Sequence, residues 1–107
     1  MSWIKVCELS DIAPDTGVCA LVNNHQVAIF RQASTDRLFA IDNFDPIGQA
    51  NVLSRGLTAQ LSGKNVVASP LYKQHYCLET GSCLEDDSVS VNVYQVRNIH
   101  GVIEVLS

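Results

Sequence analysis

Two loops that contain proline, each entered from an apolar run, constrain this chain more than any other sequence feature. The first apolar run ends at Asn43, and the loop after it carries Asp45-Pro46-Ile47. The second run breaks at Ser69-Pro70 and resumes as Tyr76-Cys77-Leu78. Proline has no amide hydrogen to donate to a sheet, so it marks the end of a strand more often than its middle. The pattern predicts two connections of the type strand, loop, strand.

Short apolar runs separated by turn residues fill the rest of the chain. Asn23-Asn24 lies between Val18–Val22 and Gln26–Phe30, which is a signal for a β-hairpin. Strict alternation of apolar and polar residues from Val89 to Val96 predicts one strand with one buried face. Further strands are predicted at Trp3–Val6, Leu38–Ile41, Leu57–Leu61, Asn65–Ala68 and Val102–Leu106. Because no long helical pattern interrupts them, these strands indicate an all-β fold, an antiparallel sandwich or barrel.

Composition narrows the classes of function. The 107 residues are expected to form one domain, 1–107, and the formal charge of −4 argues against a nucleic-acid partner. No apolar run approaches the roughly 18 residues of a membrane span, and the N-terminus lacks a signal-peptide pattern, so we expect a cytoplasmic protein. In a reducing cytosol the cysteines, Cys7, Cys19, Cys77 and Cys83, are expected to be free thiols. His75, Cys77 and Cys83 could instead supply three metal ligands, although their spacing lacks the pairing typical of zinc sites.

The two loops resemble those that hold the [2Fe–2S] cluster of Rieske iron–sulfur domains. In that family the loops read Cys-x-His and Cys-Pro-x-His and supply two cysteine and two histidine ligands. The same positions are occupied here by Asp45 and Ile47 in the first loop and by Ser69 and Tyr72 in the second. The flanking residues match the family at Ala40–Asn43, Gly56, Pro70, Tyr76 and Thr80-Gly81. The resemblance implies a Rieske-like fold with both loops at one tip, and the replaced ligands imply no metal or cofactor in this chain.

Without a cluster, another interaction is needed to hold the two loops together. The residues at and beside the ligand positions, Pro46, Ile47, Leu71 and Tyr72, are largely apolar, so we expect them to pack across the gap. Burial of Ile47 and of the Tyr72 ring would contribute about 1.5–3 kcal/mol each. Asp45 and Ser69 are expected to accept hydrogen bonds from backbone amides, as such residues do in turns. The alternative is that both loops are mobile and exposed.

Nearly the whole chain also resembles the small subunits of assimilatory NAD(P)H-dependent nitrite reductases. The resemblance is carried by Trp3–Cys7, Thr16–Arg31, Val52–Gly56 and Val67–Asp87. It implies an accessory role in the reduction of nitrite to ammonia during nitrate assimilation, with the large subunit as partner. FAD, a [4Fe–4S] cluster and sirohaem are then expected on the large subunit. Two other classes stay open: a Rieske-type ferredoxin of a ring-hydroxylating dioxygenase, and a stand-alone protein-binding module.

The two loops are also the expected site of contact with the large subunit. The candidate residues combine aromatic, aliphatic and basic side chains, a mixture typical of interface centres. They are Phe44, Ile47, Leu71, Tyr72, Lys73 and His75. Docking through a sheet face or through the acidic turn Glu85–Asp87 is the alternative. We expect no catalytic residues, since the sequence contains no recognisable Ser-His-Asp or Cys-His arrangement and no phosphate-binding glycine loop.

Overall fold

The computed structural model describes all residues of the chain, 1–107, as an arrangement of short strands. The strands are β1 (Trp3–Glu8), β2 (Thr16–Val22), β3 (His25–Arg31), β4 (Leu38–Asp42), β5 (Phe44–Asp45), β6 (Ala50–Asn51), β7 (Leu57–Leu61), β8 (Lys64–Ala68), β9 (His75–Cys77), β10 (Val93–Tyr94), β11 (Val96–Ile99) and β12 (Val102–Leu106). Two 3₁₀ helices, Leu9–Asp11 and Leu53–Arg55, lie between strands, and no helix has the length and apolar character needed to cross a membrane. Every strand pair is antiparallel, which confirms the predicted all-β antiparallel architecture.

A four-stranded sheet in the order β10-β4-β3-β2 forms the centre of the molecule. The sheets β1-β12-β11 and β7-β8-β9 contribute to two separate hydrophobic clusters, one on each face of the central sheet. Val27 and Ile29 of β3 pack in the cluster that contains β12, whereas Ala28 and Phe30 pack in the cluster that contains β8 and β9. Neighbouring side chains on a strand point to opposite faces, so β3 is buried on both sides. This two-sided burial fixes the strands that lead into the first loop.

The predicted hairpin is confirmed as β2 and β3, which pair along their whole length up to Val22↔His25. The turn residues Asn23 and Asn24 have φ angles of 48° and 66°. Asparagine tolerates left-handed backbone better than most residues, and two successive positive φ angles are what a type I′ hairpin turn requires.

The prediction of one strand from Val89 to Val96 is wrong. The segment divides into β10, which pairs with β4 of the central sheet, and β11, which begins at Val96 and pairs with β12 in another sheet. Val91 is buried, but Val93, which has the same parity, is 41% exposed. A strand that leaves one sheet and enters another keeps its alternating sequence, so the pattern does not reveal the break.

The two proline-containing loops lie against each other at one end of the molecule. The first loop runs through β5 and β6, and the second connects β8 to β9. A Cβ atom added at Gly48 of the first loop would lie 2.5 Å from Cδ1 of Leu71 in the second. Only glycine allows this approach without displacing Leu71. The expectation that the loops meet at one tip is therefore confirmed.

Candidate functional site

Each loop is closed by hydrogen bonds of its own backbone. In the first loop the amide of Gln49 donates to the carbonyl of Asp45 over 2.7 Å. In the second loop the amide of Ser69 donates to the carbonyl of Gln74 over 2.8 Å. The amide of Lys73 donates back to the carbonyl of Ser69 over 3.0 Å. These turns give Asp45 and Ser69 fixed backbone directions, so their side chains can meet between the loops.

The carboxylate of Asp45 connects the two loops. It is fully buried and accepts a hydrogen bond of 2.6 Å from the hydroxyl of Ser69. Nε2 of Gln74 lies 2.8 Å from both carboxylate oxygens, and the hydroxyl of Tyr76 donates to Oδ1 over 2.8 Å. Within the first loop, the amide of Ile47 donates to the same oxygen over 2.9 Å. Three side chains of the second loop and of β9 thus bind one carboxylate of the first loop.

The donors around Asp45 favour its ionised form. Burial by itself raises the pKa of Asp45, but hydrogen bonds from Ser69, Tyr76 and two loop amides outweigh burial and lower it below its usual value. For Tyr76 the main effect is burial, which raises the pKa of the phenol far above its usual value; the hydrogen bond from Gln74 lowers it and the Asp45 charge raises it. The phenol therefore stays protonated beside a deprotonated carboxylate, as their hydrogen bond requires.

Two polar residues of the site were missed by the sequence analysis. Gln74 is 6% exposed; its Nε2 binds Asp45, while its Oε1 has no hydrogen-bond partner. Asn43 is 2% exposed, and its Oδ1 accepts a hydrogen bond of 2.7 Å from the amide of Ser54 at the base of the first loop. One signal was available for Gln74. It lies two residues before Tyr76, the spacing at which side chains of an extended segment share a face.

The residues that the sequence resemblance places at the four ligand positions do not fit a [2Fe–2S] cluster. A Rieske cluster is bound by two thiolates and two imidazoles. Here Asp45 and Ser69 are bonded to each other, and Ile47 has no donor atom. Tyr72 offers only a phenol oxygen and is 70% exposed. No group of three or more His, Cys, Asp or Glu side chains is arranged to hold a metal ion.

His75, Cys77 and Cys83, considered above as alternative metal ligands, have other surroundings. Nδ1 of His75 lies 2.6 Å from the carboxylate of Glu85, which also accepts the amide of His75 over 2.7 Å. Cys77 and Cys83 are buried, and all cysteines of the chain are unpaired. The acidic turn is therefore connected to β9 through Glu85.

The prediction that Ile47 and Tyr72 pack across the gap is wrong. Ile47 is 39% exposed, Leu71 is 45% exposed and Tyr72 is 70% exposed. The prediction for the polar residues is confirmed: Asp45 accepts the amide of Ile47, and Ser69 accepts the amide of Leu71 over 3.3 Å. The physical reason is that the polar network already fills the space between the loops, which leaves the apolar side chains on the outer surface.

We call the exposed candidate contact residues of the two loops the loop tip; among them, Phe44 lines a depression with Leu21 and His25 of the β2–β3 hairpin. The loop tip consists of Phe44, Ile47, Leu71, Tyr72 and Lys73. Two residues of these loops, Lys73 and Gln49, have left-handed backbone, with φ angles of 61° and 58°. For residues other than glycine this conformation costs about 1–2 kcal/mol, and it also occurs outside the two loops, at Asp15, Asn23, Asn24, Asp36, Ser62 and His100. The loop tip thus combines exposed apolar area with a strained, exposed lysine.

The fold agrees with comparisons to known proteins. Residues 2–106 match the family described as a Rieske-like [2Fe-2S] domain. The ferredoxin of carbazole 1,9a-dioxygenase from Nocardioides aromaticivorans has the same fold, with a TM-score of 0.83 over 98% of this chain and 97% of that chain. Its sequence identity is 21%, so this likeness concerns the fold alone. The chain belongs to the Rieske-like domain family.

Closer relatives define the branch of that family. The nitrite reductase (NADH) small subunit of Escherichia coli strain K12 is 48% identical over 103 residues, which cover 96% of this chain and 95% of that protein. The NMR structure of the E. coli protein NirD matches with a TM-score of 0.89, 48% identity, and coverage of 97% of this chain and 94% of that chain. Within the Rieske-like domains, the chain therefore belongs to the family of nitrite reductase small subunits, which confirms the resemblance drawn from its sequence.

A related stretch also occurs in a longer protein. The nitrite reductase NAD(P)H large subunit of Klebsiella oxytoca is 36% identical over 103 residues, which cover 96% of this chain and 11% of that protein. A domain of this family thus occurs within one large-subunit polypeptide.

Proposed function

We propose that this chain is the accessory small subunit of an NAD(P)H-dependent nitrite reductase, that it carries no redox centre, and that it binds the large subunit through the loop tip. Its relatives at 48% and 50% identity are nitrite reductase small subunits. The reaction is the reduction of nitrite to ammonia in the cytoplasm, in nitrate assimilation. FAD, the [4Fe–4S] cluster and sirohaem reside on the large subunit, and this chain is not catalytic alone.

The observation that carries this proposal is the hydrogen bond of 2.6 Å between Asp45 and Ser69. The sequence resemblance places both residues at positions of cluster ligands in the family, and in the structure they bind each other across the two loops. The chain therefore retains the loop arrangement of an electron-transfer domain and lacks the donors for a cluster. A role in assembly with the redox-active subunit is compatible with both facts.

The Klebsiella oxytoca relative supports the large subunit as the partner. There, a domain 36% identical to this chain is part of the large-subunit polypeptide itself. Covalent connection keeps two domains at a high effective concentration, and such an arrangement is useful when the domains act together. In the present chain, contact with a separate large subunit would have to provide the same proximity.

The loop tip is the surface that we assign to this contact. Phe44, Leu71 and Tyr72 are 40%, 45% and 70% exposed. Single apolar side chains elsewhere, such as Leu21 and Leu57, are equally exposed, so the support comes from the grouping of exposed apolar residues on two loops that meet. Aromatic residues at the centre of a patch are frequent binding hot spots. Lys73 adds a positive charge that takes part in none of the ion pairs of the chain. His75, which is already paired with Glu85, is placed at the rim of the contact.

Binding of purified large subunit to variants of this chain tests the assignment. Tyr72→Ala is expected to weaken binding by about 2 kcal/mol, roughly 30-fold, because a central aromatic side chain is removed. Lys73→Glu is expected to weaken binding as well. Lys64→Glu is the matched control, because Lys64 is an exposed lysine at the opposite end of β8 from the second loop.

Two further variants separate contact from folding. Lys73→Gly removes the side chain and also relieves the left-handed strain, so the fold should be at least as stable while binding decreases. Ile47→Ala is the second variant, and Ile99→Ala is its control. Ile99 and Ile47 are 43% and 39% exposed, and Ile99 lies on β11 in another sheet. Wild-type affinity in Tyr72→Ala, Lys73→Glu and Ile47→Ala together would exclude the loop tip, and the acidic turn Glu85–Asp87 would be tested next.

The ferredoxin function has weaker support. Solved structures of ferredoxins with the same fold, alone or in complex, match at 16–28% identity, against 48% for the small subunit of E. coli. An electron carrier also needs a redox group, and the residues at the ligand positions do not fit one. A stand-alone binding module would use the same loop tip and is distinguished by whether the large subunit binds it.

A further inference from the structure

We propose that the Asp45 carboxylate is a clasp that holds the two loops in one conformation, the structural role that a metal cluster has in the members of this family that bind one. In this chain, the anionic carboxylate of Asp45 and its hydrogen-bond donors take the place of a metal cluster and its ligands. Asp45 is a positioning residue, because it is fully buried and cannot itself touch a partner.

The connectivity of the network supports a clasp and not merely a local turn. A turn residue binds amides of its own loop, as Asp45 does with the amide of Ile47. The other donors come from far along the sequence: Ser69 is 24 residues away, Gln74 is 29 and Tyr76 is 31. One carboxylate therefore joins the first loop to the second loop and to the buried tyrosine of β9.

The donor set favours an ionised carboxylate at this position. Ser69, Gln74 and Tyr76 all present hydrogens to the two oxygens, and a carboxylate is the side-chain group that only accepts. An asparagine in place of Asp45 would turn an NH₂ group toward at least one of these donors. The space is also closed on the first-loop side, because a Cβ at residue 48 would lie 2.8 Å from Oδ2 of Asp45.

The Asp42 carboxylate provides a matched control. It accepts the hydroxyl of Tyr94 over 2.7 Å and the amide of Asn92 over 2.9 Å, which closely resembles the tyrosine and amide contacts of Asp45. These contacts join β4 to the segment around β10 and do not join the two loops. A comparison of Asp45→Asn with Asp42→Asn therefore isolates the effect of the clasp from the general cost of altering a partly or fully buried carboxylate.

Amide hydrogen exchange of the isolated chain, read residue by residue, tests the proposal. The reporters are the amides of Gln49 and Lys73, which are bonded to backbone carbonyls in different loops and do not contact the Asp45 side chain. In Asp45→Asn both should exchange at least about tenfold faster, while β3 and β4 keep their protection. Asp42→Asn should leave both reporters unchanged. Ser69→Ala removes one donor and is the milder variant if Asp45→Asn does not fold.

Each outcome of the exchange measurement either supports or overturns the clasp. Faster exchange of Lys73 on mutation of a residue in the other loop supports the clasp. Wild-type exchange at both reporters, in Asp45→Asn or in a folded Ser69→Ala, overturns it. A uniform increase over the loops, β3 and β4 also overturns it, since that result shows only a loss of global stability. The measurement does not involve the large subunit, so failure of the clasp and failure of the proposed function are distinguishable.

Discussion

Gln74→Glu is the substitution that probes the buried network most sharply, because it changes charge with almost no change of shape. Nε2 of Gln74 lies 2.8 Å from both oxygens of Asp45. Glutamate replaces this donor with a carboxylate oxygen and places two like charges in contact within a buried site. Gln95→Glu is the control, because Gln95 is exposed and its side chain makes no hydrogen bond in the structure.

The loss of stability expected for Gln74→Glu is set by whichever of two responses costs less free energy. If both groups stay charged at a separation of about 3–4 Å, their repulsion is about 4–6 kcal/mol at an effective dielectric constant of about 20. If one group binds a proton instead, the cost at pH 7 is about 3.7 kcal/mol, because a free Glu has a pKa of about 4.3 and each pKa unit corresponds to about 1.4 kcal/mol. A shared proton also restores one hydrogen bond to Asp45. The variant should therefore lose about 3–4 kcal/mol of stability at pH 7.

The stability changes with pH in opposite directions in the wild type and in Gln74→Glu. In the wild type the folded pKa of Asp45 is lowered, so its contribution is fully present above the unfolded value of about 3.9 and is lost as the pH falls through the folded pKa. In Gln74→Glu the pair has a raised folded pKa, so the variant matches the wild type most closely near pH 4. Its deficit should then grow by about 1.4 kcal/mol per pH unit up to the folded pKa of the pair.

Urea denaturation of both proteins and of Gln95→Glu between pH 4 and pH 8 measures this difference. The expected result is a gap in unfolding free energy that widens with pH for Gln74→Glu and stays near zero for Gln95→Glu. A gap that is absent at pH 7, or one that does not change with pH, would refute the geometry described for Gln74 and Asp45.

Three other predictions follow from the same structure. Tyr76→Phe removes the donor to Oδ1 of Asp45 and should destabilise the chain by about 1.5–3 kcal/mol, measured by denaturation; an unchanged midpoint would contradict the hydrogen bond. Ile47→Ala should cost less than about 1 kcal/mol, because Ile47 is 39% exposed, and a loss above about 2 kcal/mol would mean that the side chain is buried. The thiol of Cys19 should react with an alkylating reagent in the native protein, whereas Cys77 and Cys83 should react only after unfolding; mass spectra with fewer than four additions after denaturation without reductant would indicate a disulfide.

Local signals predicted much of the fold. The hairpin of β2 and β3 followed from two asparagines between apolar runs, and the structure shows the left-handed φ angles that these residues tolerate. The two loops followed from proline in otherwise apolar segments. In both cases the responsible physical chemistry lies within a few residues of the chain, so a single sequence is sufficient.

Long-range features were not predictable in the same way. The partners of Asp45 lie 24 to 31 residues away, and nothing near Asp45 in the sequence indicates them. Because the sequence does not reveal those partners, we predicted from it that apolar residues, among them Ile47 and Tyr72, fill the gap between the two loops. The break between β10 and β11 was missed for a related reason, since the choice of sheet depends on pairing with β4 and β12. The extent of a single domain, 1–107, stays a prediction.

The iron and acid-labile sulfide content of the purified chain, after an attempt to reconstitute a cluster without oxygen, tests the central claim most directly. If a hydrogen-bonded carboxylate, and not a metal cluster, joins the two loops, iron and sulfide should stay at the level of a blank. The protein should show no visible absorbance, and its denaturation should be the same before and after treatment with a chelator. Iron and sulfide in matching amounts near two per chain, with absorbance that the chelator removes, would contradict it.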